Sequence, residues 1–124
     1  VVAMMLVSAG LAARNYAAPK QDLAGAYLAA NDIATDAHRV YSVGVASTVF
    51  RTHFDAGWQE VLTDTELSDA LAMPGPALFV VAFPQRYYRA MPALDQAADS
   101  GAITLAARFP GTLGDGAVLI FRKE

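Results

Sequence analysis

The chain has 124 residues, enough for one compact domain and too few for two. It is 55% hydrophobic and 17% charged, carries no Cys, and has a formal net charge of −3 with a pI of about 5.2. These figures exclude a disordered chain, a collagen-like repeat, a coiled coil, a disulfide-stapled miniprotein and, because only one stretch stays apolar for long, a multi-span membrane protein.

Residues 1–13, VVAMMLVSAGLAA, are uncharged, and all nine basic and twelve acidic residues follow them. A transmembrane helix needs about 20 apolar residues, and the chain begins with Val, so it reads as a piece of something longer. Three readings of this stretch compete. It is the last turns of a transmembrane helix whose start lies upstream, the end of a signal-peptide apolar region, or a core element of the domain itself. The first is favoured by Arg14, Asn15 and Tyr16, which suit a membrane interface. One Arg is too little charge to assign sidedness.

Pro19 marks the first break and fits the first position of a helix. From Asp22 onward, Leu23, Ala26, Tyr27, Ala30 and Ile33 recur at helical spacing, and Asn31-Asp32 and Thr35-Asp36 punctuate the end. The β-branched run at 40–45 reads as a strand. Ser47 or Thr48 is the expected cap of a short helix carrying Val49, Phe50 and Phe54 inward. A second strand is expected over 58–63. Thr63 and Glu66 have capping-box spacing for a helix running to about Ala72, which Pro74-Gly75-Pro76 stops. Residues 77–83, ALFVVAF, are the strongest strand signal, apolar throughout as when helices cover both faces. Pro84 ends it. One further helix is expected over 87–98, with a late start at Pro92 as the variant. Two strands, 102–109 and 117–121, flank a Gly-rich connection suited to a tight antiparallel return. The predicted fold class is α/β: a small Rossmann-like three-layer sandwich, with a mixed sheet and a C-terminal antiparallel hairpin. Residues 19–124 form its single domain, and 1–18 the end of a membrane helix or anchor plus an interface segment.

Little of the sequence carries recognisable chemistry. The nine basic residues are scattered, with no five-residue window holding more than two, so nucleic acid is not an expected partner. The absence of Cys removes thiolate zinc sites, Fe–S clusters, thiol catalysis and disulfides together, and fits cytosol and periplasm alike. His38 and His53 lie on different predicted elements with no metal-ligand spacing, so no metal site is expected. Gly44-Val45-Ala46-Ser47-Thr48 has its Ser one place late for a nucleophile elbow and lacks the second Gly. Gly111-Thr112-Leu113-Gly114-Asp115-Gly116 has no Gly-Lys-Ser/Thr and precedes a strand, so it reads as a turn rather than a phosphate loop. Asp32 with Asp36, and Asp95 with Asp99, read as solvated pairs. The densest candidate is Gln85-Arg86-Tyr87-Tyr88-Arg89, just past the carboxyl end of the best strand, where open α/β sheets bind ligands. Its two Arg and two Tyr suit a phosphate or a sugar, against the plainer reading of a solvated helix start.

In this order of elements, two segments carry a resemblance: Tyr16-Ala-Ala-Pro19-Lys20-Gln21-Asp22-Leu-Ala-Gly-Ala26 and Phe109-Pro110-Gly111-Thr112. Over most of its length the chain resembles the C-terminal extracytoplasmic domain of bacterial membrane glycosyltransferases of the protein-mannosyltransferase and aminoarabinose-transferase type. The resemblance implies a small α/β domain after a run of membrane helices, on the periplasmic side of the inner membrane. The parent would transfer a sugar from a polyprenyl-phosphate carrier, with a divalent metal in some members. The family's catalytic carboxylate belongs to a loop that nothing here matches, so no catalytic residue is carried over. The role implied is a non-catalytic lid or docking domain beside the membrane portion of the same parent chain. Lys20, Asp22, Arg86, Tyr87 and Arg89 are the candidate ligand-binding residues; no metal ligand and no cofactor is assigned. The alternatives are a periplasmic ligand-binding or sensor module with a single membrane anchor, and a small soluble enzyme, which needs a pocket with perturbed acid/base groups.

Overall fold

The computed structural model describes residues 1–17 (side chains to 13), 21–112 and 114–124. In chain order the helices and strands are α1 (Val2–Ala17), α2 (Leu23–Ile33), β1 (Arg39–Val43), α3 (Ala46–His53), β2 (Gln59–Val61) and α4 (Asp64–Ala72). They continue with β3 (Ala77–Ala82), α5 (Pro84–Ala90), α6 (Pro92–Ser100), β4 (Thr104–Phe109) and β5 (Val118–Lys123). The strands form one five-stranded open sheet in the order β2-β1-β3-β5-β4. β1 pairs in parallel with β2 and β3, while β5 pairs antiparallel with β3 and β4. This is the expected α/β sandwich with its hairpin at one edge.

Alternation along the strands separates two cores. On one face Tyr41, Val43, Phe79, Val81, Leu119 and Phe121 pack against α4, α5 and α6 through Leu67, Tyr87 and Leu94. On the other, Leu78, Val80, Val118 and Ile120 meet Ala26 and Ala30 of α2 and Phe50 of α3. Ala26 and Ala30 are fully buried, and their small side chains let α2 lie close on the sheet. Every residue of β3 is buried, which explains a run with no alternation. Burying Leu78, Phe79, Val80 and Val81 contributes about 1.5–3 kcal/mol each in transfer free energy, an upper figure because the unfolded chain already shields part of that surface. An aromatic group closes the α2–α3 side: Phe50 lies 4.8 Å from Trp58, and Tyr27 4.9 Å from Phe54, between ring centroids.

Several sequence expectations change at the caps. Ser47 does not cap α3: Val45 occupies that position without a side-chain bond, and the buried Ser47 hydroxyl donates to the Ser42 carbonyl at 2.9 Å. The expected helix over 87–98 is two helices. Pro84 opens α5 and Pro92 opens α6, and Pro92 holds Met91 out of the helical region at φ −127, ψ 86. β2 is shorter than predicted, and the β4–β5 return is a longer loop through Gly114 and Asp115 rather than a tight turn. One half of the capping box forms: the Glu66 N–H donates to Thr63 Oγ1 at 3.2 Å. The Glu66 carboxylate accepts from the Leu62 N–H at 2.7 Å, one residue before the cap.

Residues 1–13 are exposed throughout, and none joins either core cluster. The reading of this stretch as a core element of the domain is therefore removed. Among the described residues no helix is long and apolar enough to cross a membrane.

Candidate functional site

β1 connects through α3 to β2 on one side, whereas the chain leaves β3 toward β4 and β5 on the other. The carboxyl ends of β1 and β3 thus flank the topological switch point, where an open α/β sheet offers a crevice to ligands. Here this chain's own side chains fill the crevice. Gly44 turns out of β1 at φ +78, and a Cβ at that position would overlap the ring of Tyr87. Tyr87 is buried, and its hydroxyl accepts from the Val45 N–H at 2.8 Å. Asp115, reaching in from the β4–β5 loop, accepts from the Gln85 N–H through Oδ1 and from the Arg86 N–H through Oδ2, both at 3.0 Å. A carboxylate thus sits where the first amides of α5 would attract an anion. The loop read as a mere turn is what closes this end.

Phe83, between β3 and α5, takes φ 54, ψ 57, a left-handed conformation that costs a non-glycine residue about 1–3 kcal/mol. Its ring packs against both core clusters, which holds it there. Tyr88 beside it has its pKa raised, first by burial and then by the negative charges of Asp95 and Asp115, so it stays a neutral phenol at physiological pH.

The four candidate residues that the structure describes, Asp22, Arg86, Tyr87 and Arg89, do not form one site. Arg86 and Arg89 are exposed. The Arg86 guanidinium lies 5.6 Å from the Tyr87 ring centroid, and Arg89 Nε donates to the Gln85 carbonyl at 3.3 Å on its own helix. Tyr87 is committed to the crevice. Asp22 caps α2, accepting from the Gly25 N–H at 2.9 Å. Lys20 lies outside the described residues. His38 Nδ1 accepts from the Thr35 N–H at 3.1 Å, and His53 stands edge-on to Phe54 with centroids 5.0 Å apart. Among the described residues no group of three or more His, Asp or Glu is placed to hold a metal ion. Asp32, Asp36, Asp95 and Asp99 are exposed.

No protein family, curated protein or solved structure matches the chain.

Two open concavities lie at the opposite end of the sheet. A cleft of about 450 Å³ runs between α4 and the β1–β2 edge, with Tyr41 in its wall and Glu66 and Asp69 on its α4 side. A smaller one, about 270 Å³, adjoins His38, Gly57, Trp58 and Gln59. Sequence reasoning missed both. In the linear pattern Tyr41 is one more apolar strand position, and nothing local links it to α4.

Proposed function

We propose that this chain is a non-catalytic accessory domain of a membrane glycosyltransferase that uses a polyprenyl-phosphate-linked sugar donor. The observation that carries the reading is a helix, α1, uncharged and apolar through Ala13, with its side chains to that point outside both cores of an α/β domain whose switch-point crevice is filled from within. An apolar helix with no partner in its own domain needs apolar surroundings elsewhere. A sheet whose ligand crevice holds Tyr87 and Asp115 is suited to docking or covering rather than to turnover. The resemblance of 16–26 and 109–112 supplies the enzyme class. In this reading the domain faces the periplasm beside the membrane portion of its parent chain, and any divalent metal, like the catalytic carboxylate, belongs to that portion.

The test is the coding sequence upstream of Val1, followed by transfer assays of the parent with and without residues 21–124. Several apolar spans upstream, with sugar transfer reduced but not chemically abolished by the deletion, are expected. A single upstream span overturns the reading in favour of an anchored binding or sensor module. That second reading has its own support in the open cleft beside Tyr41. No span at all sinks both.

A further inference from the structure

Tyr41 is only 4% exposed and its ring stacks on Phe79, with centroids 5.0 Å apart. A tyrosine buried this deeply normally finds a partner for its hydroxyl, as Tyr87 does with Val45. The Tyr41 hydroxyl has no hydrogen-bond partner among the described residues, yet it is not sealed away. The one buried side-chain polar atom without a partner there is Gln21 Nε2. The small accessible remainder of Tyr41 therefore includes its hydroxyl, which opens into the cleft that Tyr41 lines.

The walls of the cleft have a definite charge. Glu60 is held by Arg51 at 2.6 Å, and Arg39 donates to the Pro74 carbonyl at 3.4 Å. Glu66 commits one oxygen to the Leu62 N–H. Asp69 has no hydrogen bond or ion pair among the described residues. Lys123, beside Met73, likewise donates to backbone carbonyls, those of Met73 and Gly75 at 2.7 and 3.0 Å. Of the three cleft carboxylates, only Glu60 is in an ion pair among the described residues, and Glu66 and Asp69 face the cleft without a paired cation, which suits a positively charged occupant. The carboxylates do not form a group able to share one metal ion. Between them lie the apolar surfaces of Val61, Ala70 and Met73. Separated acceptors, an apolar floor and a free phenol match a chain of methylenes carrying ammonium groups at intervals.

We propose that this cleft binds short aliphatic amines of the diamine or polyamine class. One ammonium pairs with Asp69 and a second with the open oxygen of Glu66. The methylenes lie over Val61, Ala70 and Met73, and the Tyr41 hydroxyl accepts an N–H. The site is at the amino end of the parallel strands, away from the filled crevice, and its occupancy is independent of the accessory role proposed above.

The test titrates the full ¹⁵N-labelled chain at low ionic strength with spermidine, with a neutral diol of matching length, and with magnesium at equal ionic strength. Saturable shifts confined to residues 39–43, 59–62 and 66–73 are expected with spermidine alone. Tyr41→Phe should leave the melting temperature unchanged, because the hydroxyl has no partner to lose, and should weaken spermidine about three- to tenfold, as one net hydrogen bond does. Asp69→Asn, at an exposed position, should weaken it about tenfold or more. The proposal is overturned if millimolar spermidine gives no saturable shift, or if magnesium reproduces the pattern, which marks a diffuse acidic surface. It is equally overturned if Tyr41→Phe lowers the melting temperature or leaves affinity untouched, since the hydroxyl would then be structural or idle.

Discussion

At the scale of single residues, Gly44 and Tyr87 close the carboxyl end of the sheet as one unit. Gly44 is needed twice over, for its positive φ and for the space that the Tyr87 ring occupies. Gly44→Ala therefore combines backbone strain with an overlap that the buried Tyr87 ring relieves only by moving off its bond to the Val45 N–H, and a loss of more than about 2 kcal/mol is expected in denaturant unfolding. Beside Tyr87 on α5 the expectation reverses. Arg86→Ala with Arg89→Ala removes exposed guanidinium groups whose contacts stay on α5, so stability should change by less than about 0.5 kcal/mol. A loss above about 2 kcal/mol in the double variant would show the two Arg to be structural. A Gly44→Ala protein as stable as its parent would show that Tyr87 swings aside freely and that the crevice can open.

Among the elements, α2 settles the role of Asp22. The carboxylate accepts from the Gly25 N–H, which is how an N-cap behaves, and it also occupies the space that a Cβ on Gly25 would need. Asp22→Ala should cost about 1 kcal/mol and Asp22→Asn should recover most of it, because Asn caps as well as Asp. If Asn recovers nothing, the charge itself matters and Asp22 regains its standing as a ligand contact. What was legible in the sequence follows the same logic of local physics. The Asp22 and Thr63 starts, the stop at 74–76 and the buried strand at 77–82 depend on neighbours within a turn, and spacing reveals them. The break at Met91 was half visible, since Pro92 suits the start of a helix as well as a kink. Ser47 was misread because its hydroxyl had a better acceptor, the Ser42 carbonyl, which only the β1–α3 turn brings near. The filled crevice and the open cleft were not legible at all. Asp115 reaches α5, and α4 reaches Tyr41, only through crossovers that put distant segments side by side.

For the whole molecule the informative contrast is between α1 and everything after it. The 16 residues of α1 span about 24 Å at 1.5 Å per residue, short of a hydrocarbon core of about 30 Å. By themselves they can lie in the interface or enter one leaflet without crossing. Residues 1–13 carry no charge, α1 holds the single charge of Arg14, and the chain as a whole is at −3, so attraction to a membrane must come chiefly from apolar transfer, with one headgroup contact at Arg14 adding about 1 kcal/mol at most. The chain is accordingly expected to pellet with vesicles of neutral lipid, to pellet little better with anionic lipid, and to be nearly insensitive to added salt. A chain starting at residue 21 should stay in the supernatant. Its melting temperature should match that of the full chain, because no α1 side chain among residues 1–13 contributes to either core cluster. Strongly salt-sensitive binding to anionic vesicles would instead place the contact on the scattered cations of the domain. A fall in melting temperature on removing α1 would mean that the helix folds back onto the domain in water, covering apolar surface that the membrane is here expected to replace.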